Sequence, residues 1–99
     1  MKEYDTIIIG GGAAGLTAAL YTGRKELKTL IVSIDLGGQT LLTDNIENYP
    51  GVDSSPGPEL MAKFQSQATK FGAEVIMGEA NAIKKIGKIF FVSIRESRQ

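Results

Sequence analysis

Apolar residues near the start of the chain are consecutive rather than alternating. Ile7, Ile8 and Ile9 follow one another, and a second apolar run, KTLIVS, covers residues 28–33. Continuous apolar runs are typical of strands that are covered on both faces, as in a parallel sheet. The two runs therefore predict strands over residues 4–9 and 28–33.

A helical period separates these two strands. From Ala13 to about Lys25, the residues Leu16, Leu20 and Gly23 recur at the spacing of one helix face. Strand, helix and strand make a β-α-β unit, which has a right-handed crossover in nearly all proteins. The first third of the chain thus predicts an α/β fold.

The stretch PGPELMAKFQSQATKFG predicts a second helix. Pro58 suits its first turn, and Gly72 suits a left-handed stop. The long segment before it, residues 34–55, is rich in Gly, Thr, Asn, Asp and Pro and predicts a loop. Residues expected to form the apolar stripe of the helix are Leu60, Met61, Phe64, Ala68 and Phe71.

The last third of the chain predicts strands only. Residues 73–77 read as a third strand, and residues 80–86 and 88–94 as two antiparallel strands joined by a turn at Gly87. The tail RESRQ is polar and is expected to fray. The fold class is α/β: a parallel β-α-β-α-β sheet followed by an antiparallel β-hairpin.

The glycines between the first strand and the first helix predict a site for a diphosphate. Gly10, Gly12 and Gly15 form the pattern G-x-G-x-x-G. In this pattern the first glycine allows a tight turn, the second lets a diphosphate approach the backbone, and the third lets the helix lie close to the strand. The helix N-terminus offers N–H groups to an anion. The alternative is a glycine-rich turn without a ligand, and the flanking strand, helix and second strand favour the dinucleotide.

The acidic residue that this motif predicts about 20 residues further on, to hold the adenosine ribose, is absent from the expected strand end. Ser33 stands there and could make a weaker hydrogen bond to the ribose. Asp35 comes two residues later and is expected to lie past the strand. This departure weakens a plain NAD interpretation and leaves FAD open.

The composition limits which kinds of catalytic and metal site these 99 residues can form. Net charge is zero at neutral pH, and the chain has no cysteine and no histidine. A dithiol, a thiolate metal site and a histidine base are therefore excluded within these residues, and no metal site or catalytic residue is predicted. We expect no nucleic-acid or membrane partner, no signal peptide and a cytoplasmic location.

Four stretches in order resemble the N-terminal FAD-binding region of bacterial or archaeal thioredoxin reductases, from about Glu3 to about Val92. They are YDTIIIGGGAAGLTAALYTGRKELKTLIV, GGQT at 37–40, IENYPG at 46–51 and GPELMAKFQSQATKFGAEV at 57–75. Two positions depart from the family: Ala13-Ala14 replaces a common Pro-Ala, and Ser33 stands where Glu is frequent.

The resemblance implies that residues 1–99 form one partial, Rossmann-like FAD-binding domain, and it implies roles for the matched positions. The diphosphate of FAD would be wrapped by Gly10, Gly12, Ala13, Ala14 and Gly15, with Ser33 near the adenosine ribose. Gly38 and Gln39 would run beside the ribityl chain and flavin, and Thr43 and Asn48 would reach towards the flavin side.

The family passes electrons from NADPH through FAD to a Cys-x-x-Cys disulfide and then to thioredoxin. The resemblance implies NADPH, thioredoxin and a homodimer partner for full-length family members only, since this chain has neither the cysteines nor a second glycine motif. A related flavoprotein, such as a peroxiredoxin-reducing subunit or a ferredoxin-type reductase, stays open. So do a non-catalytic module that binds FAD or an ADP moiety, and an inactive remnant.

Overall fold

The computed structural model describes residues 2–97, apart from the side chain of Gln39. Strands and helices alternate in the first two thirds of the chain, and strands follow one another in the last third. The elements are β1 (Thr6–Gly11), α1 (Ala13–Arg24), β2 (Thr29–Leu36), a 3₁₀-helix (Gly38–Leu42), α2 (Gly57–Lys70), β3 (Glu74–Ile86) and β4 (Ile89–Glu96).

The strands form a mixed sheet in the order β1-β2-β3-β4. β1 runs parallel to β2, and β2 runs parallel to β3, so that Ile8, Ile31 and Val75 lie side by side across the sheet. β4 pairs antiparallel with β3 through the turn at Gly87. The predicted fold class is therefore confirmed. β1 lies at an edge, with β2 as its hydrogen-bonded neighbour among the described strands.

Both helices contribute to one apolar core against the sheet. Leu16 and Ala19 of α1 lie in one buried cluster with Ile31 of β2. From α2 the same cluster takes Leu60, Met61 and Ala68. The helix faces predicted by the apolar period are thus the ones turned to the core: most of their residues are buried, Leu20 and Phe64 are half-buried, and one residue at the end of α2 is exposed.

Phe71 is the exception, because its side chain is 44% exposed. α2 ends at Lys70, and Phe71 caps it outside the helical period. Its Cβ and carbonyl lie so close to α1 that a Cβ on Gly23 would be 3.0 Å from the Phe71 Cβ. Phe71 therefore packs through its backbone and Cβ, while Gly72 adopts the left-handed φ of 99° expected of a stop.

β3 is longer than predicted, because the two strands expected at 73–77 and 80–86 are one. Gly78 does not interrupt it; it pairs with Glu96, and a Cβ on Gly78 would lie 2.6 Å from the carbonyl oxygen of Arg95. The glycine thus permits close approach of β4. The expected fraying is wrong for Arg95 and Glu96, which belong to β4; the last two residues lie outside the described part.

The predicted loop 34–55 contains regular structure at both ends. β2 continues to Leu36, the 3₁₀-helix follows, and Ile46 pairs with Ser55 through two backbone hydrogen bonds of 2.7 and 3.1 Å. None of these short elements has enough residues to show a hydrophobic period.

Two isoleucines of β2 test where the core lies. Ile31 is fully buried and Ile34 is 68% exposed. Ile31→Ala should lower the free energy of unfolding by about 2–5 kcal/mol because it leaves a cavity, and Ile34→Ala should change it by about 0.5 kcal/mol or less. Urea unfolding of both variants measures this, and equal losses would contradict the assigned core.

A hydrogen bond from the Tyr4 hydroxyl to the Glu74 carboxylate joins the segment before β1 to the start of β3. This bond raises the pKa of Tyr4 and lowers the pKa of Glu74. Its stabilising effect is present at neutral pH; it is lost as the pH falls through the lowered pKa of Glu74, or rises through the raised pKa of Tyr4.

Tyr4→Phe should therefore lower the melting temperature at pH 7 slightly, and the difference from wild type should shrink as the pH falls through the lowered pKa of Glu74. Tyr21→Phe is the control, because Tyr21 is an exposed tyrosine of α1. Thermal melts from pH 7 into the acid range measure the effect, and a difference that stays constant while Glu74 becomes protonated would rule out the bond.

Candidate functional site

Gly11, at the end of β1, is fixed by hydrogen bonds at both its backbone groups. Its N–H donates to Ser33 Oγ at 2.9 Å, and its carbonyl oxygen accepts the N–H of Gly37 at 2.7 Å. Both partners belong to the end of β2 or the residue after it. Because Gly11 is buried and held on both sides, the positions of Gly10 and Gly12 are set by the sheet itself.

α1 begins very close to the end of β1. An ideal Cβ on Gly15 would lie 1.9 Å from the carbonyl oxygen of Gly10, so no other residue fits there without movement. Gly10 itself has a φ of 104°, a conformation that favours glycine. These two glycines let the chain turn from strand to helix within a few residues.

The N-terminus of α1 presents backbone donors to open space. The first intrahelical bond runs from Leu16 N–H to Gly12 O at 2.9 Å, so the preceding amides have no helical acceptor. No side chain caps this end, and the first turn has no acidic residue. An ideal Cβ on Gly10 or Gly12 would have no heavy atom within 4 Å. The residues present therefore fit a bound diphosphate.

Two clefts open on either side of this glycine turn. The larger, about 610 Å³, is lined by Ala13, Thr40, Thr43, Asn45, Ile46, Glu47, Asn48, Tyr49, Leu60 and Phe64. The smaller, about 320 Å³, is lined by Ile9, Gly10, Val32, Ser33, Ile34, Asp35, Gly78, Glu79 and Ala80. We call them the wide cleft and the strand-end cleft. Gly10 lines one and Ala13 the other, so the turn separates them.

Most of the residues named from the sequence lie at this turn or in the two clefts. Thr43 and Asn48 line the wide cleft. Gly38 lies against the turn, since an ideal Cβ on it would be 3.6 Å from the Gly12 Cα. Gln39 lies in the 3₁₀-helix, and its side chain is outside the described part of the structure.

Ser33 has a structural role that the sequence did not reveal. It is 5% exposed, and its Oγ both accepts the Gly11 N–H and donates to the carbonyl oxygen of Asp35. A hydroxyl has one proton to donate, so this proton is already used inside the protein. Ser33 thus fixes the orientation of the glycine turn by accepting the hydrogen bond from the Gly11 N–H.

Sequence reasoning misplaced Asp35, which was expected past the strand. β2 extends to Leu36, so Asp35 is a strand residue, and its side chain is exposed on the strand-end cleft. The available signal was its spacing, since it follows Gly15 by about 20 residues. The interpretation relied instead on where the apolar run ended.

Within residues 2–97 no three or more carboxylate, thiol or imidazole side chains are grouped as metal ligands would be. The helices described there include none that is long and apolar enough to cross a membrane.

Residues 4–96 match the family model described as pyridine nucleotide-disulphide oxidoreductase. The chain belongs to this family. Thioredoxin reductases are among its relatives: that of Bacillus subtilis is 49% identical over 83 residues, which are 83% of this chain and 26% of the relative. That of Treponema pallidum is 42% identical over 93 residues, covering 92% of this chain and 30% of the relative.

Solved structures of thioredoxin reductases give the same result. The Lactococcus lactis enzyme superposes with a TM-score of 0.89 at 40% identity, covering 96% of this chain and 32% of that one. For the Streptococcus pyogenes enzyme the TM-score is 0.89 at 43% identity, and the match covers 95% of this chain and 31% of that one. The resemblance to thioredoxin reductases is confirmed, and the chain spans about a quarter to a third of these relatives' length.

Ser33→Ala tests the role of this hydroxyl. Removal of Oγ leaves the buried Gly11 N–H without its acceptor, so the free energy of unfolding should fall by about 1–3 kcal/mol. The Gly11 amide should also exchange its hydrogen faster by NMR. Ser93→Ala, at an exposed position of β4, is the matched control. Unchanged exchange at Gly11 in Ser33→Ala would contradict this role.

Proposed function

We propose that this chain binds FAD at the glycine turn and forms part of the FAD-binding domain of a thioredoxin-reductase-like flavoprotein. The observation that carries the proposal is the uncapped N-terminus of α1, which opens between the two clefts. A dinucleotide has a diphosphate in its middle and a large group on each side. One anion site flanked by two clefts matches that shape.

The diphosphate would lie at Gly10, Gly12, Ala13, Ala14 and Gly15. The amides at the start of α1 would donate to its oxygens, and the helix dipole favours the negative charge. Gly10 and Gly12 have no side chain, and their ideal Cβ positions have no heavy atom within 4 Å. The diphosphate oxygens would therefore approach the backbone atoms of both glycines directly. Gly15 would act by holding α1 against the turn.

The flavin would extend into the wide cleft, and the adenosine into the strand-end cleft. Thr43 and Asn48 line the wide cleft, and hydroxyl and amide groups of this kind satisfy the polar rim of a flavin without adding charge. Gly38 would approach the ribityl chain, with Gln39 beside it. Ser33 would support the ribose end.

For the whole flavoprotein we propose NADPH as donor and thioredoxin as the disulfide substrate, with a homodimer as the assembly. Bound FAD supplies the electron transfer, and the protein supplies binding, orientation and electrostatics. Residues 1–99 would form a single, incomplete FAD-binding domain in the cytoplasm. They contain no cysteine, so the dithiol would come from outside them.

The composition of these 99 residues supports a second candidate function. With no cysteine and no histidine, these 99 residues cannot form a dithiol or offer an imidazole base. The chain would then be a non-catalytic module that holds FAD or only its ADP part. ADP that displaces FAD at nearly equal affinity would favour this candidate over a formed flavin site.

Gly12→Ala tests the proposed function. At φ −78° and with open space around it, position 12 accepts alanine without strain. The methyl group would occupy the path of the diphosphate, so FAD and ADP should each bind at least about tenfold more weakly while the melting temperature stays near that of wild type. Flavin fluorescence titration and calorimetry with ADP measure the affinities.

Gly15→Ala is the matched comparison, because the same methyl group there would meet the Gly10 carbonyl. It should cost at least about 2 kcal/mol of unfolding free energy. Gly12→Ala protein that binds FAD and ADP as wild type does would contradict the proposed site. Wild-type protein that binds neither would contradict the function.

A further inference from the structure

The two clefts beside the glycine turn are built by different parts of the chain. All residues that line the strand-end cleft belong to β1, β2 or β3. The wide cleft is lined mostly by residues from the range 40–49, which we call the cleft segment, together with Ala13 of α1 and Leu60 and Phe64 of α2. Whatever fixes the cleft segment therefore decides the shape of the wide cleft and leaves the strand-end cleft unchanged.

Gly57, the first residue of α2, is hydrogen-bonded to the cleft segment. Its N–H donates to the carbonyl oxygen of Thr43 at 2.8 Å. Thr43 in turn donates its own N–H to the carbonyl oxygen of Thr40 at 3.2 Å, where the 3₁₀-helix ends. The start of α2 is thus joined through Thr43, a residue that lines the wide cleft, to the end of the 3₁₀-helix.

Gly57 also packs directly on the backbone of the cleft segment. An ideal Cβ at this position would lie 1.8 Å from the carbonyl oxygen of Thr40 and 2.9 Å from that of Thr43. Gly57 is buried, and its φ lies outside the left-handed region. The contact with the cleft segment, rather than the conformation of residue 57, therefore requires glycine here, and a side chain would have to displace the segment's backbone.

The later part of the cleft segment is anchored beside the same end of α2. Ile46 pairs through its backbone with Ser55, which is buried two residues before Gly57. The ring of Tyr49 meets the ring of Phe64 edge to face, with 5.5 Å between the centroids. The backbone of the cleft segment is therefore tied at Thr43 and at Ile46, and both ties run to residues 55–57.

We infer that Gly57 is a positioning residue for the flavin half of the site: it sets the place of the cleft segment and thereby makes FAD bind more tightly than ADP. The inference rests on the proposed function, because it concerns the flavin side of the same site. A wall that is fixed before the ligand arrives loses little entropy when the ligand binds. No residue of the range 37–57 lines the strand-end cleft, so ADP affinity should not depend on Gly57.

Gly57→Ala in the full chain tests the inference. The added methyl group would displace the Thr40 carbonyl and with it the cleft segment, so FAD should bind at least about tenfold more weakly. ADP should bind within about twofold of wild type. Flavin fluorescence titration and calorimetry with ADP measure the two affinities. The visible absorption band of the bound flavin should also come closer to that of free FAD, because the displaced segment encloses the ring less.

Gly23→Ala is the matched control. Gly23 is a buried glycine of α1, where an ideal Cβ would be 3.0 Å from the Phe71 Cβ and 3.2 Å from its carbonyl oxygen. This crowded contact lies outside both clefts. Both variants should lose stability, so the titrations are made at a temperature at which both are folded. Gly23→Ala should keep the FAD to ADP affinity ratio within about twofold of wild type.

An NMR titration of wild type tests the inference without any variant, and decides it if Gly57→Ala does not fold. The Gly57 amide should shift when FAD is added, because its acceptor is the carbonyl oxygen of Thr43 on the cleft segment. ADP should leave the Gly57 amide unshifted while it shifts the amides of residues 10–15.

Several results would overturn the inference. Gly57→Ala that keeps the wild-type ratio, or that loses affinity for FAD and ADP equally, would contradict it. So would Gly23→Ala that changes the ratio as much, or a Gly57 amide that bound FAD leaves unshifted. In each of these cases wild type still binds FAD, so the proposed function stands.

Binding to wild type separates failure of the inference from failure of the proposed function. Wild type that binds FAD and ADP with equal affinity would overturn the inference and favour the non-catalytic module. Wild type that binds neither ligand would contradict the proposed function, and the inference would fall with it.

Discussion

The distance between the end of β1 and the start of α1 is the constraint on which the site depends. The helix lies so close to the strand that a methyl group on Gly15 would be 1.9 Å from the Gly10 carbonyl. This approach aligns the first amides of α1 with the end of the sheet. It also buries Leu16 and Ala19 against β2, so the contact that forms the site is continuous with the core.

The glycine turn is supported by the neighbouring strand rather than by its own residues. Gly11 accepts one hydrogen bond from Gly37 and donates one to Ser33; Ser33 belongs to β2, and Gly37 directly follows it. A buried donor left unsatisfied costs more than a typical hydrogen bond gains, so this pairing strongly favours one position of the turn. Donors that are fixed before the ligand arrives lose little entropy on binding.

Strong local patterns made the fold predictable. The consecutive isoleucines of β1, the helix between two apolar runs and the turn at Gly87 each follow from residue type and spacing. Local patterns failed where tertiary contacts decide the conformation. Strands were predicted separately over residues 73–77 and 80–86, but in the structure Gly78 lies within β3 and allows β4 to approach closely. Phe71 continued the apolar period of α2, but the helix ends one residue earlier.

The same limit applies to the site. The roles of Thr43 and Asn48 at a flavin stay predictions. The glycine pattern was identifiable from the motif, and these two polar residues from the family resemblance alone. The internal use of the Ser33 hydroxyl was not, because it depends on a hydrogen bond between the ends of β1 and β2 that no pattern in one segment encodes. Asp35 did have a signal, its spacing of about 20 residues from Gly15, but the interpretation followed the end of the apolar run instead.

An NMR titration that compares FAD with ADP tests the central claim most directly. Both ligands should shift the amides of residues 10–15 and of the strand-end cleft, and FAD alone should also shift Thr43 and Asn48 in the wide cleft. Shifts confined to residues away from the glycine turn, or no shift with either ligand in a folded chain, would contradict the account.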